Sequence, residues 1–201
     1  MAFCVRFVSN ARRMHRKIAL TILVSLCTGS AFAKGRGGEF RINKITRDLI
    51  TSPDFNFSGA EQQRSNHERW LRVDVQFSAA PAFTDELTFK YYILVGGKVL
   101  TGEAIHVDIL AGRELYSVMY VPPHALAYLL HTRTPNTNGI ENIAVQIVQK
   151  GEVKDEFMLA RGRPDWFTTL PALSGFLLNK NETPFAPLFW DHYEQIKPAG
   201  R

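Results

Sequence analysis

Five histidines fall within residues 34–201: His67, His106, His124, His131 and His192. A metal site or a general base would be built from such side chains. His106 and Asp108 stand two apart in an alternating run. On a strand they share a face and could hold a metal or orient a base. The same alternation puts Ile105, Val107 and Ile109 on the other face, so a solvated polar face opposite a buried apolar one is the simpler expectation. His124 and His131 are seven apart and align on a helix. A zinc site also needs a third ligand and an ordered surrounding shell. No neighbouring residue offers one, and the pair reads as polar cover. Asp191 and His192, beside Tyr193, are adjacent, and adjacent side chains diverge on a helix and face opposite ways on a strand.

Nucleophiles are no better placed. Ser117 lies inside an alternating run without a Gly-x-Ser-x-Gly elbow, and Ser174-Gly175 lacks the preceding glycine. Gly35, Gly37 and Gly38 have no strand before them to make a phosphate loop. Carboxylate spacing along the chain neither shows nor excludes a glycosidase pair. Both cysteines, Cys4 and Cys27, precede residue 34. Should that segment be removed, thiolate chemistry, thiolate metal sites and disulfides go with it. No catalytic, cofactor-binding or metal residue is therefore assigned, and a non-enzymatic protein without cofactor is expected. Trp70, Trp166 and Trp190 are candidates for stacking a sugar. Trp70 opens an alternating strand and reads as core, whereas Trp166 and Trp190 sit among prolines and other rings, where packing and recognition look alike.

The elements that must position these residues are mostly strands. Phe40 to Ile50 reads as one strand, and Ser52-Pro53-Asp54 ends it. Residues 54–69 read as a long polar loop. Leu71, Val73, Val75 and Phe77 alternate with polar residues, and Pro81 ends that strand. Leu87 to Val95 repeats the pattern, Gly96-Gly97 supplies a two-residue hairpin turn, and Val99 to Ile109 returns, with Gly102 as a bulge candidate. Ala111-Gly112-Arg113 reads as a turn and Leu115 to Val121 as a strand stopped by Pro122-Pro123. A short helix covers His124 to His131, a loop Thr132 to Gly139. Ile143 to Ile147 and Val153 to Ala160 form a last hairpin around Lys150-Gly151. Seven strands with frequent turns and almost no helix predict a mainly β, antiparallel sandwich over residues 40–160.

Two segments differ from this pattern. Residues 1–33 carry five of the 24 Lys and Arg side chains and none of the 19 Asp and Glu, so residues 34–201 hold 19 of each sign. Bulk-charge attraction to nucleic acid loses its support. The basic start, the apolar run Ile18 to Leu26 and Ala31-Phe32-Ala33 have the order of a secretory signal cleaved before Lys34. The apolar run is about half the roughly 20 residues of a membrane span, so no span is expected after cleavage; an uncleaved anchor is the alternative. Leu26 before Cys27 argues against lipidation, and Arg12-Arg13 lacks the apolar pair of a twin-arginine signal. Residues 34–39 read as a flexible lead-in. Residues 161–201 hold five of the ten prolines and seven aromatic side chains. They read as a wrap belonging to the same domain, because leaving each ring in water forgoes about 2 kcal/mol.

Leu87-Thr88-Phe89-Lys90-Tyr91-Tyr92 through Gly96-Gly97, Leu115-Tyr116-Ser117-Val118-Met119-Tyr120-Val121-Pro122-Pro123, and Thr183-Pro184-Phe185-Ala186-Pro187-Leu188 with Trp190-Asp191-His192-Tyr193 carry a resemblance. Over most of residues 40–197 the chain resembles exported immunoglobulin-like proteins found with type IV pilus genes in verrucomicrobial bacteria. The resemblance implies an immunoglobulin-like sandwich at the periplasm, outer membrane or cell surface, with a part in pilus assembly or adhesion. It carries over no site residues. A filament-core pilin keeps a long apolar helix after its cleavage glycine, and Phe40-Arg41-Ile42-Asn43-Lys44 is too polar for that. The expectation is an accessory protein that meets envelope or pilus proteins, compatible with an oligomer. A carbohydrate-binding module is the alternative, and a hydrolase whose residues converge only in the fold is the third.

Overall fold

A computed structural model describes residues 38–55, 67–132, 134–163, 165–189 and 191–198. The chain divides into residues 1–35 and 36–201, and every described residue belongs to the second unit. The export signal of residues 1–33, most of the lead-in, most of the expected loop over residues 54–69 and Trp190 lie outside the described residues.

The fold is mainly β. Its strands are β1 (Phe40–Thr51), β2 (Arg69–Val95), β3 (Lys98–Val121), β4 (Ile140–Gln149), β5 (Glu152–Met158), β6 (Ala172–Ser174) and β7 (Leu178–Asn179). Helix α1 (Pro123–Leu130) follows β3, and the single-turn α2 (Trp166–Thr169) precedes β6. All seven strands join one sheet in the order β5-β4-β2-β3-β6, with β1 on the first part of β2 and β7 on the last part of β3. The sheet is mixed rather than wholly antiparallel, because β6 runs parallel to β3.

Odd-numbered residues of β2 explain how one sheet makes a sandwich. Leu71, Val73, Val75 and Phe77, then Leu87, Phe89, Tyr91, Ile93 and Val95, are all fully buried in one cluster. Both halves of β2 thus point inward and face each other, and the Phe77 and Phe89 rings meet at 4.7 Å. The sheet folds over between them. Pro81 does not end a strand, and Ala111-Gly112-Arg113 does not turn the chain: β2 and β3 each run straight through the fold line. Between the pairs Ala79↔Gly112 and Phe83↔Leu110, β2 has three residues where β3 has one. Pro81 sits in that unmatched stretch, where its missing N–H costs no ladder bond.

At the far end of the sandwich Gly96 and Gly97 form the hairpin turn with φ of 55° and 71°, the left-handed region glycine enters without strain. A Cβ on Gly96 would also stand 2.7 Å from the Leu129 carbonyl oxygen of α1. Gly102 is not a bulge: its pairing with Tyr91 is in register, and it is small because Leu177 lies against it. The open side between β1 and the β4–β5 hairpin is closed by polar contacts. Asp155 accepts a 2.7 Å bond from the Ile42 N–H, and Arg47 donates to the Ile140 carbonyl.

The C-terminal segment lies on both outer faces. Around α2, Trp166 and Phe167 are buried against Val99, Ala144 and Tyr92, with Phe167 stacked on Tyr92 at 4.2 Å. Further on, Phe185 and Tyr193 pack against Val118, Tyr120 and Trp70, and Phe185 stacks on Tyr120 at 4.9 Å. The same segment lines the free edge of β3 through β6, β7 and backbone bonds to Ile105, Val107 and Tyr116. Among the described residues no helix is long and apolar enough to cross a membrane.

Candidate functional site

The structure brings together two residues that the sequence leaves apart. Ser117 and His106, both fully buried, meet with Oγ 2.7 Å from Nε2. The other ring nitrogen, Nδ1, lies 3.0 Å from the Glu194 carbonyl oxygen. A carbonyl only accepts, so Nδ1 carries the proton and Nε2 accepts from the serine. The Tyr91 hydroxyl in turn donates to Ser117 Oγ at 2.7 Å. The chain Tyr91→Ser117→His106→Glu194 has the polarity of an activated serine, yet Tyr91, Ser117 and His106 are each 0% exposed, so no substrate reaches the hydroxyl in this conformation. Burial, opposed by the backbone contacts of Glu194 and Gln195, lowers the His106 pKa to about 4. The neutral ring is an internal tie between β2, β3 and the C-terminal segment.

His106 therefore does not lie on a solvated face, and it does not share a face with Asp108, which is exposed. Inward positions shift from even to odd between His106 and Ile109, across Asp108 with its φ of 56°. Ile105 and Val107 end half-buried on the outer side. No sequence signal short of the tertiary pairing of residue 106 with residue 117 marks the cluster.

A second polar group lies on the outer face of the β1 half. Arg72 bonds Asp48 at 3.2 Å and stands 3.0 Å from Asp74. The Tyr193 hydroxyl approaches both Asp74 and Tyr120 from the C-terminal segment. Burial pushes the Asp74 carboxyl up, against the pull of Tyr193 and of the Arg72 guanidinium. Asp74 Oδ1, Tyr120 Oη and Arg72 Nε have no aligned hydrogen-bond partner.

The remaining candidates stay dispersed. His124 and His131 are exposed, and His131 leaves the helix in the left-handed region. Asp191 and His192 are exposed while Tyr193 is buried, and His192 stacks on Tyr116 at 4.2 Å. Ser174 and Gly175 are exposed on the rim of a surface cavity that also includes Lys90, Tyr92 and Glu103. Among the described residues no group of three or more His, Cys, Asp and Glu could hold a metal ion. Trp70 is half-buried on the outer face rather than in the inner core. Its indole donates to Ser52 at 2.9 Å, and its ring meets Phe185 edge-on. Trp166 is buried beneath the C-terminal segment. Neither presents an open face to a sugar.

Among the exposed large apolar side chains, which also include Tyr128, Val153 and Phe189, two lie side by side at the fold line. Leu110 and Phe83 are 63% and 53% exposed and are cross-strand partners. Ala80, Ala82 and Ala111, also exposed, extend them into a continuous lip on the unmatched stretch. Asp85 and Asp108 flank this lip on one side, Arg113 and Glu114 on the other, all exposed. At the opposite end of the β1 half, where α1 closes the sandwich, lies a cavity of about 370 Å³ lined by His67, Glu68, Arg69, Pro123, His124, Ala127, Thr134 and Pro135.

The chain is similar to a solved protein of Akkermansia muciniphila, a verrucomicrobium, with a TM-score of 0.72 and 21% identity. The match covers 82% of this chain and 95% of that one, and at that identity it speaks for the fold alone. No curated protein matches. A family model matches residues 31–199, and the family it describes takes its description from likeness to the Akkermansia protein; the chain belongs to that family.

Proposed function

We propose that this chain is an exported, non-enzymatic β-sandwich that acts by protein–protein assembly at the cell envelope, as an accessory of a type IV pilus or adhesion apparatus. The observation that carries the reading is the apolar lip of Phe83 and Leu110. Two large apolar side chains left in water on paired strands forgo burial worth about 2 kcal/mol each, and such patches mark contact surfaces. The verrucomicrobial likeness and the arrangement of residues 1–33 support an envelope setting. The fully enclosed Ser117–His106 pair and the dispersed remaining histidines support a role without chemistry.

The test is affinity capture from envelope extracts, with partners identified by mass spectrometry. The wild-type protein is expected to retain pilus-assembly or adhesion proteins, and Phe83→Ser combined with Leu110→Ser to lose them while melting at the wild-type temperature. Equal capture by the folded double variant would remove the lip from the assembly role. Hydrolytic activity in the purified protein would overturn the reading itself.

A further inference from the structure

The outer face of the second half of β2 carries a polar cavity of about 370 Å³. Its side chains come from two neighbouring rows of the ladder. Lys90 and Glu103 are cross-strand partners in one row, and Tyr92, Thr101 and Ser174 line up in the next. The rows are two residues apart on each strand, which is about 7 Å. Gly175, with a φ of 82°, turns the chain at the rim. All of this lining lies within the described residues.

These groups are held in place by the fold itself. The Tyr92 ring stacks on Phe167 at 4.2 Å, and its hydroxyl donates to Gln146 at 3.3 Å. Gln146 donates in turn to Glu156 at 2.7 Å. Burial, together with the Glu103 and Glu156 carboxylates, pushes the Tyr92 pKa up, so the hydroxyl keeps its proton. A ring fixed in this way loses little freedom when a ligand arrives. Lys90 Nζ and Glu103 Oε1 stand 3.7 Å apart. That is close enough to pair and too far for a direct hydrogen bond.

We propose that this cavity binds one or two pyranose rings of a neutral saccharide. A sugar hydroxyl both donates and accepts. One such oxygen between Lys90 and Glu103 accepts from the ammonium and donates to the carboxylate, each at about 2.8 Å, without parting the ion pair. The ring then extends to the second row, where Tyr92, Thr101 and Ser174 offer hydroxyl oxygens. The volume is at the low end for a ligand site, which suits a mono- or disaccharide. Other chemistries fit less well. An anion meets Glu103 and Glu156, a cation meets Lys90, and an apolar molecule leaves these polar groups unpaired. The inference goes beyond the assembly reading and uses neither Phe83 nor Leu110.

Backbone amide NMR of the isotope-labelled protein tests this. The probes are lactose, maltose, cellobiose and N,N′-diacetylchitobiose, with glucosamine, glucose 6-phosphate and glycylglycine as cationic, anionic and peptide controls. At least one of the neutral disaccharides is expected to shift the amides of Thr101, Glu103, Ser174 and Gly175, with Kd about 1 mM. Glu103→Ala is expected to weaken that binding by about tenfold or more, through loss of the hydroxyl's acceptor. Ser174→Trp fills the cavity and is expected to abolish it. Phe83→Ser with Leu110→Ser is expected to bind the sugar like wild type, and binding lost there would overturn the placement in this cavity. Melting curves check that the variants fold; Lys90→Ala replaces Ser174→Trp should the latter not fold, with weakened binding expected. If no disaccharide shifts a lining amide at about 20 mM, twenty times the expected Kd, the proposal is overturned. Shifts produced by the controls alone overturn it too, as does sugar binding that survives unchanged in the folded cavity variants.

Discussion

Tyr193 and Glu194 are neighbours in the chain, yet each completes a different polar cluster. Glu194 offers its carbonyl to His106 in the interior, and Tyr193 lays its hydroxyl beside Asp74 on the outer face. The inner cluster is closed: Tyr91, Ser117 and His106 each have a partner in one directed chain. The outer cluster is not, since Asp74 Oδ1, Tyr120 Oη and Arg72 Nε remain unaligned. A fully paired buried network fixes one arrangement, whereas a buried polar atom without a partner already bears its desolvation cost, so altering it loses less. The interior cluster is therefore expected to be rigid and costly to alter, and the outer one permissive.

Removing residues 166–198 breaks both clusters at once and is the largest effect. Trp166, Phe167, Phe185 and Tyr193 are buried by that segment, at about 2 kcal/mol per ring. The total, about 8 kcal/mol, is comparable with the whole net stability of a domain. The truncated protein is expected to lack a cooperative melting transition in circular dichroism.

The next effect separates the clusters by the sign of their response to acid. His106 titrates at about 4 in the fold against about 6.5 unfolded. The unfolded chain then binds the proton first, and stability falls as pH drops from about 6.5 to about 4, by on the order of 3 kcal/mol. Asp74 is shifted up, so its contribution is present in acid and is lost as pH rises through its raised pKa. Chemical denaturation at a series of pH values should show His106→Gln flattening the loss between pH 6.5 and 4. An unchanged slope would mean that His106 is not the group responsible.

Smaller effects complete the contrast. Tyr91→Phe removes one donor from the inner chain and leaves Ser117 able to donate to His106, with an expected cost of about 1–2 kcal/mol in denaturant. Asp74→Asn is expected to change stability by less than about 1 kcal/mol, because a neutral amide escapes the burial penalty that the carboxylate bears. If Asp74→Asn proves more damaging than Tyr91→Phe, the contrast between a closed and an open cluster fails.

Local alternation made the strands legible. Leu71 to Phe77, Leu87 to Val95 and the Gly96-Gly97 turn all stand where their side-chain pattern puts them, since a period of two and a positive-φ turn are properties of a few adjacent residues. Continuity was not legible. Pro81 and Ala111-Gly112-Arg113 look like breaks because a proline or glycine has the same local signature at a turn and at a bulge; only the pairing of β2 with β3 tells the two apart. β6 and β7 also escaped, being too short to show a period.

For the sites the division is sharper. Alternation says which residues share a face, but it does not say what covers that face. His106 looks solvated in the sequence for this reason, and also because the inward phase shifts at Asp108. Trp70 has the alternation of a core residue, although its face is an outer one covered by Phe185 and the C-terminal segment. Composition and pattern by themselves determined a β-rich chain with paired aromatic strands and an aromatic C-terminal segment. The meeting of Ser117 with His106, the sealing of β3 by residues 172–197 and the apolar lip at the fold line were decided by tertiary structure, because each depends on contacts between residues far apart in the chain, and local propensity carries no information about which distant partner closes a face.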